Sequence, residues 1–187
     1  MTPLLAVLAV ATAATFDPVP QGNGLMMRIV RYEGSTNGGM TVEVKNPTAA
    51  EQTLTAQGLF FVPAVDPASA PQRLGAVGPM RMHEGDERRE TLKLAPGASA
   101  TMTLDVYCID SHRPSPSSET PFRVAKDRIP APLASAIESN TRGKAKAYGG
   151  VAAPAAKSAV QSEVWRTRDA KWVPLEGEGA QEAAKNK

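Results

Sequence analysis

The sequence predicts a mainly β domain: an immunoglobulin-like antiparallel β-sandwich with a small helical appendage on its C-terminal side. Short runs with strand chemistry recur between residues 25 and 110, turn signals separate them, and helical spacing of apolar residues appears only after them. The chain has 187 residues, 42% of them hydrophobic and 5% aromatic, with 15 Gly and 16 Pro. This size and turn content are typical of one globular domain and exclude a collagen-like or coiled-coil protein.

Residues 1–14 are expected to form a signal peptide that is removed on export. An uncharged apolar run ends in Ala11-Thr12-Ala13, the A-x-A pattern that signal peptidase accepts. The run is shorter than the roughly 20 residues that a membrane-spanning helix needs, so we expect no stable membrane span after cleavage. A buried N-terminal element of a cytosolic protein is the alternative. Residues 15–24 contain two Pro and two Gly and are expected to form a short linker.

Residues 25–110 are expected to form the sandwich. In the run Met40–Lys45 apolar side chains alternate with polar ones, which predicts one buried face and one exposed face. Apolar residues also alternate on both sides of the turn Ala95-Pro96-Gly97-Ala98, which predicts an antiparallel hairpin there. The predicted strands are residues 25–32, 40–45, 53–62, 72–77, 90–94 and 100–109.

Residues 111–175 are expected to form a loop and a helical appendage that packs on the sandwich. The segment SHRPSPSSET at residues 111–120 is polar and predicts an exposed connection. Apolar residues four apart predict helices at residues 132–140 and at residues 154–168. The remaining segments are a flexible basic link at residues 143–150 and a disordered tail at residues 176–187.

Common catalytic, metal and nucleic-acid motifs are missing from the sequence. The formal net charge is +2, and basic residues do not interleave with aromatic ones, so we expect no nucleic-acid partner. His83 and His112 lie in polar segments without a nucleophile motif, and the acidic segment 84–90 lacks the ligand spacing of a calcium loop. Two His and one Cys cannot form a closed zinc site. We therefore expect no enzyme, no cofactor and no metal.

Cys108 is the only cysteine, so an internal disulfide is impossible even in an exported chain. It continues the alternation of Leu104 and Val106, which favours a buried packing residue at the end of a strand. A bond between two chains and a chemical role for the thiol are the alternatives.

Two short segments resemble the signature segments of bacterial surface thioester domains. Tyr107-Cys108-Ile109 is an aromatic-Cys-aliphatic triplet, and residues 160–165, VQSEVW, are an aliphatic-Gln-x-x-aliphatic-Trp run. The resemblance covers about ten residues. It implies that Cys108 and Gln161 condense with loss of ammonia to an internal thioester, which a host amine attacks to form a covalent adhesive bond. It also implies that Tyr107, Val164 and Trp165 shape the pocket.

The sequence is compatible with two roles for Cys108 and Gln161. They form either an internal thioester or a packing contact between sheet and helix. We expect Cys108 and Gln161 to touch in either case, because Cys108 ends the last predicted strand and Trp165 anchors the only amphipathic helix with an aromatic residue. The sequence thus predicts an exported bacterial non-enzymatic interaction module, periplasmic or at the cell surface, whose partner is a protein or a component of the cell envelope. A covalent adhesion domain and an unrecognised enzyme are the alternatives.

Overall fold

The computed structural model describes residues 15–36, 38–84, 87–147 and 154–178. The expected signal peptide, residues 1–14, lies outside these residues. The described chain is mainly β, and each strand pairing in it is antiparallel. Two helices follow the strands, and neither is long and apolar enough to cross a bilayer.

Most of the strands coincide with the predicted runs, and the run at 53–62 divides into two. Four further strands, at residues 17–18, 80–82, 88–89 and 122–124, are not among the predicted runs, because two or three residues are too few to show an alternating pattern. The strands are β1 (Asp17–Pro18), β2 (Met26–Tyr32), β3 (Gly39–Lys45), β4 (Gln52–Thr55), β5 (Phe60–Pro63), β6 (Leu74–Ala76), β7 (Met80–Met82), β8 (Arg88–Arg89), β9 (Thr91–Leu94), β10 (Ser99–Cys108) and β11 (Phe122–Val124). The helices are α1 (Ala131–Ala147) and α2 (Pro154–Ala170).

One sheet in the order β1-β2-β3-β10-β6-β5-β11 contains most of the strands, and β7 and β8 join it through β10. Its two ends approach each other. The backbone N–H of Val124 in β11 donates to the carboxylate of Asp17 in β1 at 3.3 Å, and the rings of Tyr32 and Phe122 pack edge to face with centroids 5.3 Å apart. The sheet is therefore nearly closed, like a barrel. An immunoglobulin-like sandwich is not confirmed.

The buried face predicted for Met40–Lys45 is present in β3, but the opposite face is exposed only at Lys45, since Thr41 is buried and Glu43 is half-buried. Met40, Val42 and Val44 are buried in the core, whereas Lys45 at the end of the strand is exposed. The apolar side of this strand therefore faces the inside of the nearly closed sheet.

The hairpin predicted around Ala95-Pro96-Gly97-Ala98 is wrong. The turn exists, since the N–H of Ala98 donates to the carbonyl of Ala95 at 3.0 Å, but β9 pairs with β4 while β10 pairs with β3. Asn46 holds this corner, because its Nδ2 donates to the carbonyls of Leu94 and Ala95 at 2.9 and 3.2 Å. Alternation reports which face of a strand is buried and does not report which strand lies beside it.

Residues 15–24 are packed and do not form the expected linker. The strand Asp17–Pro18 pairs with β2, Val19 is buried, and Nε of Arg128 donates to the carbonyl of Pro20 at 2.9 Å. Pro20, Gly22 and Gly24 belong to a tight turn, in which the N–H of Gly22 donates to the carbonyl of Val19 at 3.0 Å. High Pro and Gly content thus indicates a turn here and does not prevent burial.

The helices pack on each other and on the outside of the sheet through a second apolar cluster. Helix α1 continues past the predicted end at residue 140 as far as Ala147, because the buried residues Thr141 and Ala145 continue its apolar stripe. The first part of the expected flexible link, residues 143–147, is therefore helical. Residues 148–153 lie outside the described chain.

The segment after α2 is also packed, although we expected a disordered tail from residue 176. The carboxylate of Glu176 accepts a hydrogen bond from the N–H of Lys126 at 2.6 Å and pairs with Arg123 at 2.7 Å. These contacts fasten the segment to the turn that follows β11. The rest of the expected tail, residues 179–187, lies outside the described chain.

Candidate functional site

Cys108 and Gln161 are in direct contact. The N–H of Cys108 donates to Oε1 of Gln161 at 2.9 Å, and Nε2 of Gln161 donates to the carbonyl oxygen of Cys108 at 2.7 Å. The side-chain amide therefore pairs with the cysteine backbone as a residue of a neighbouring strand would. The predicted proximity of the two residues is confirmed.

This pairing continues the sheet where β3 stops. The last register pair between β3 and β10 joins Gly39 to Asp105, and the N–H of Val106 then donates to the carbonyl of Gly38 at 2.7 Å. Alternate N–H groups of an antiparallel strand point to the same side, so the next one on this side belongs to Cys108. Gln161 on α2 accepts it. One side chain thus satisfies backbone groups that the end of β3 leaves without a strand partner.

The thiol of Cys108 lies inside the core of the sheet, and the residue is 3% exposed. Burial raises the pKa of the thiol to about 11, and the carboxylate of Asp110 contributes to the rise. A hydrogen bond between the side chain of Ser115 and Cys108 acts in the opposite direction and lowers that pKa. At neutral pH the group is therefore a protonated thiol.

The three residues expected to shape the pocket lie in different places around the Cys108–Gln161 pair. Tyr107 and Val164 belong to the apolar cluster between the sheet and the helices. Trp165 is half-buried, packs against the core of the sheet, and donates from Nε1 to Oε1 of Gln72 at 3.0 Å. Tyr107 and Trp165 line the same groove as Gln161, whereas Val164 packs in the interior.

That groove is open to solvent and has a volume of about 310 Å³. It leads to the carboxamide of Gln161, which is half-buried, while the thiol of Cys108 stays in the core. The groove lies between the β2–β3 turn and α2, and its lining includes Ser35, Thr36, Val106, Lys157, Ser158 and Ser162.

A buried cluster of charges lies beside the pair. Arg73 is fully buried, and its Nε donates to the fully buried carboxylate of Asp110 at 2.8 Å. Glu178 joins them, because its Oε1 accepts from Nη2 of Arg73 at 3.3 Å and from Nη2 of Arg168 at 2.9 Å. The guanidinium of Arg168 also stacks on the ring of Trp172, 3.9 Å from its centroid.

The pKa values of the two arginines shift in opposite directions. Burial by itself lowers the pKa of the Arg73 guanidinium, but the hydrogen bonds and charges of Asp110 and Glu178 together outweigh it, so the net shift is upward. Burial lowers the pKa of Arg168, and the charge of Arg73 adds to the decrease. Both groups remain positively charged at neutral pH.

The sequence analysis did not identify this cluster, although two spacings point to it. Asp110 lies two residues after Cys108, the spacing of side chains on the same face of a strand. Arg168 follows Gln161 by seven residues, about two turns of a helix, which puts both on the same helix face. No pattern in the sequence marks Arg73, because a buried arginine looks like a surface arginine until its partners are known.

His83 and His112 are exposed. Within the described residues, no three or more His, Cys, Asp or Glu side chains are grouped so that they could hold a metal ion. No family model, curated protein or solved structure matches this chain. The resemblance to thioester domains therefore stays a prediction that rests on its two segments.

Proposed function

We propose that this protein is a non-enzymatic binding module that forms an internal thioester between Cys108 and Gln161 and attaches covalently to an amine of its partner. The observation that carries the proposal is the pair of hydrogen bonds, 2.9 and 2.7 Å long, that holds the Gln161 carboxamide on the backbone of Cys108. These bonds hold the carboxamide on the residue that carries the thiol, so the attack of the thiol is an intramolecular step and needs no encounter between separate molecules.

The forming step consumes no further reactant. The Sγ of Cys108 attacks Cδ of Gln161, so that the S–C bond forms and the C–N bond of the carboxamide breaks. The thiol proton leaves with the amide nitrogen as ammonia. The N–H of Cys108 already donates to Oε1, the oxygen on which negative charge develops during the attack.

In the attachment step the sulfur of Cys108 is the leaving group, whereas it is the nucleophile in the forming step. The nitrogen of a primary amine attacks the same Cδ, a C–N bond forms, and the S–C bond breaks. A proton of the amine restores the thiol of Cys108. The product is an amide between Gln161 and the partner, which is far more stable than the thioester that it replaces.

Burial of the thiol has two consequences for this chemistry. It shields the sulfur side of the stored thioester from water. It also raises the pKa of Cys108 to about 11, so that little thiolate is present at neutral pH. We therefore expect the thioester to form slowly at neutral pH and faster in alkaline solution.

Export and a position at the cell surface or in the periplasm are part of the same proposal. They rest on the apolar run and the Ala11-Thr12-Ala13 pattern. The partner is a protein or an envelope component that presents a primary amine at the groove beside Gln161.

A reversible binding module is the second candidate. The two hydrogen bonds of Gln161 also satisfy an N–H and a C=O group at the end of β10, which is sufficient reason for a structural contact. Gln161 is then a packing residue, and the module binds its partner without a covalent bond.

Intact-mass spectrometry separates the two candidates. The thioester predicts a mass that is lower by one ammonia than the mass calculated from the determined N-terminus. The variants Cys108→Ala and Gln161→Ala are the controls and retain the full calculated mass. A wild-type chain at its full mass after prolonged incubation at alkaline pH contradicts the thioester and supports the reversible module.

A further inference from the structure

The buried cluster of Arg73, Asp110, Arg168 and Glu178 forms a second connection between the elements that carry Cys108 and Gln161. Asp110 lies two residues after Cys108, and Arg168 lies seven residues after Gln161 on α2. Each member of the pair thus has a charged residue of the cluster close by on its own stretch of chain.

The strand side of the cluster is fixed by Arg73. Its Nε and its backbone N–H both donate to Oδ2 of Asp110, at 2.8 and 3.0 Å, and its carbonyl accepts from the N–H of Ile109 at 3.0 Å. Both side chains are fully buried, so water does not compete for these hydrogen bonds. The chain directly after Cys108 is therefore held in one conformation.

On the helix side, Nη1 of Arg73 donates to the carbonyls of Leu175 and Glu176 at 3.1 and 2.8 Å, and one oxygen atom of Glu178 joins Arg73 to Arg168. Oε1 of Glu178 accepts from Nη2 of Arg73 at 3.3 Å, from Nη2 of Arg168 at 2.9 Å and from the N–H of Leu175 at 3.0 Å. The other oxygen, Oε2, is buried and makes no hydrogen bond with the described residues. Without the charge of Glu178, two buried guanidinium groups of like charge would share this space with one carboxylate.

We propose that Glu178 is a positioning residue for the Cys108–Gln161 pair. It joins Arg168 on α2 to Arg73, and Arg73 is bound to the chain that follows Cys108. The end of α2 is thereby held against the sheet, and the carboxamide of Gln161 stays on the cysteine backbone. The chemical part of this inference rests on the proposed function, whereas the positioning concerns contacts within the folded chain.

The test compares Glu178→Gln with a matched control, Glu176→Gln, in the full chain. Glu178→Gln retains size and an acceptor oxygen but removes the charge between the two arginines. Glu176→Gln is the same substitution in the same segment, and it removes the 2.7 Å ion pair with Arg123 while leaving the cluster intact. If the segment merely becomes less stable, both variants are affected. If the connection between Arg73 and Arg168 is lost, only Glu178→Gln is affected.

Hydrogen exchange of the Cys108 amide reports the positioning directly, because the acceptor of that N–H is Gln161. We expect Glu178→Gln to accelerate this exchange about tenfold relative to amides in the middle of β10, and Glu176→Gln to leave it unchanged. Loss of ammonia on refolding should slow in the same order. If Glu178→Gln does not fold, Glu178→Asp, which keeps the charge on a shorter side chain, is expected to act in the same direction by a smaller factor.

Equal exchange of the Cys108 amide in wild type and in the Glu178 variants overturns the proposal, and so does an equal increase in the Glu178 and Glu176 variants. A wild-type chain that never loses ammonia contradicts the proposed function only. The exchange comparison still decides the positioning role in that case, so the two failures are distinguishable.

Discussion

The side chain of Gln161 acts as a strand partner for Cys108. Its carboxamide oxygen accepts from the cysteine N–H at 2.9 Å, and its nitrogen donates to the cysteine carbonyl at 2.7 Å. The contact therefore depends on the glutamine side chain and on the cysteine backbone, while the cysteine thiol points into the core. Substitution of the two residues should consequently affect the fold in different ways.

Gln161→Ala is expected to lower the free energy of unfolding by about 1–3 kcal/mol, because it leaves a partly buried N–H and C=O without a protein partner. Ser162→Ala changes an exposed neighbour on the same helix and should stay within about 0.5 kcal/mol of wild type. Urea denaturation of both variants checks this. Equal stability of the two variants would show that the hydrogen bonds of Gln161 do not contribute to the fold.

The thiol of Cys108 should react slowly with iodoacetamide in the folded protein when Gln161→Ala prevents formation of the thioester. Because burial raises its pKa to about 11, the alkylation rate should increase up to about that pH. In the unfolded chain the rate should level off near pH 8.5. Rate measurements across this range, with circular dichroism to confirm folding, check the prediction, and an inflection near 8.5 in the folded variant contradicts it.

The same shift has a consequence for stability. A thiol whose pKa is higher in the folded than in the unfolded state stabilises the fold fully below the unfolded pKa, and this contribution is lost as the pH rises through the folded pKa. The free thiol should therefore make the protein less stable between about pH 8.5 and 11. Cys108→Ala should reduce this dependence. Wild-type protein that carries the thioester should behave like Cys108→Ala, because it has no thiol to titrate.

Asp110→Ala should be strongly destabilising, by about 3–5 kcal/mol, because it leaves the fully buried guanidinium of Arg73 without its closest carboxylate. Glu43→Ala is the matched control. It removes a carboxylate that accepts from Nε of Arg28 at 2.8 Å in a partly exposed pair, and exposed pairs contribute at most about 1 kcal/mol. Thermal or urea unfolding distinguishes the two. Similar losses in both variants would mean that the buried cluster does not stabilise the fold.

The sequence predicts the buried face of β3 from a local pattern, and it predicts the contact between Cys108 and Gln161 from the end of the last strand and the aromatic anchor on α2. The alternation of Met40, Val42 and Val44 needs no knowledge of neighbouring strands. The near closure of the sheet and the corner at Ala95–Ala98 depend on which strands become neighbours, and a single sequence does not carry that information. Long-range pairings of this kind are set by the packing of the whole chain.

The burial of Arg73 and Arg168 could not be predicted from the sequence for a different reason. Arg73 and Arg168 are separated in sequence by strands β6–β11 and helix α1, and both bind Glu178, which lies in a segment whose polar composition predicts disorder. A polar segment becomes ordered when its charges find buried partners of opposite sign, and composition alone does not show such partners.

Localised mass spectrometry of the methylamine-treated protein tests the thioester most directly. Methylamine that attacks a thioester should leave N-methylglutamine at position 161 and a thiol at Cys108 that iodoacetamide modifies after unfolding. Neither product should appear in Cys108→Ala, in which no thioester can form. Recovery of unmodified Gln161 from the treated wild-type protein, with a mass equal to that calculated from the sequence before treatment, would contradict the account.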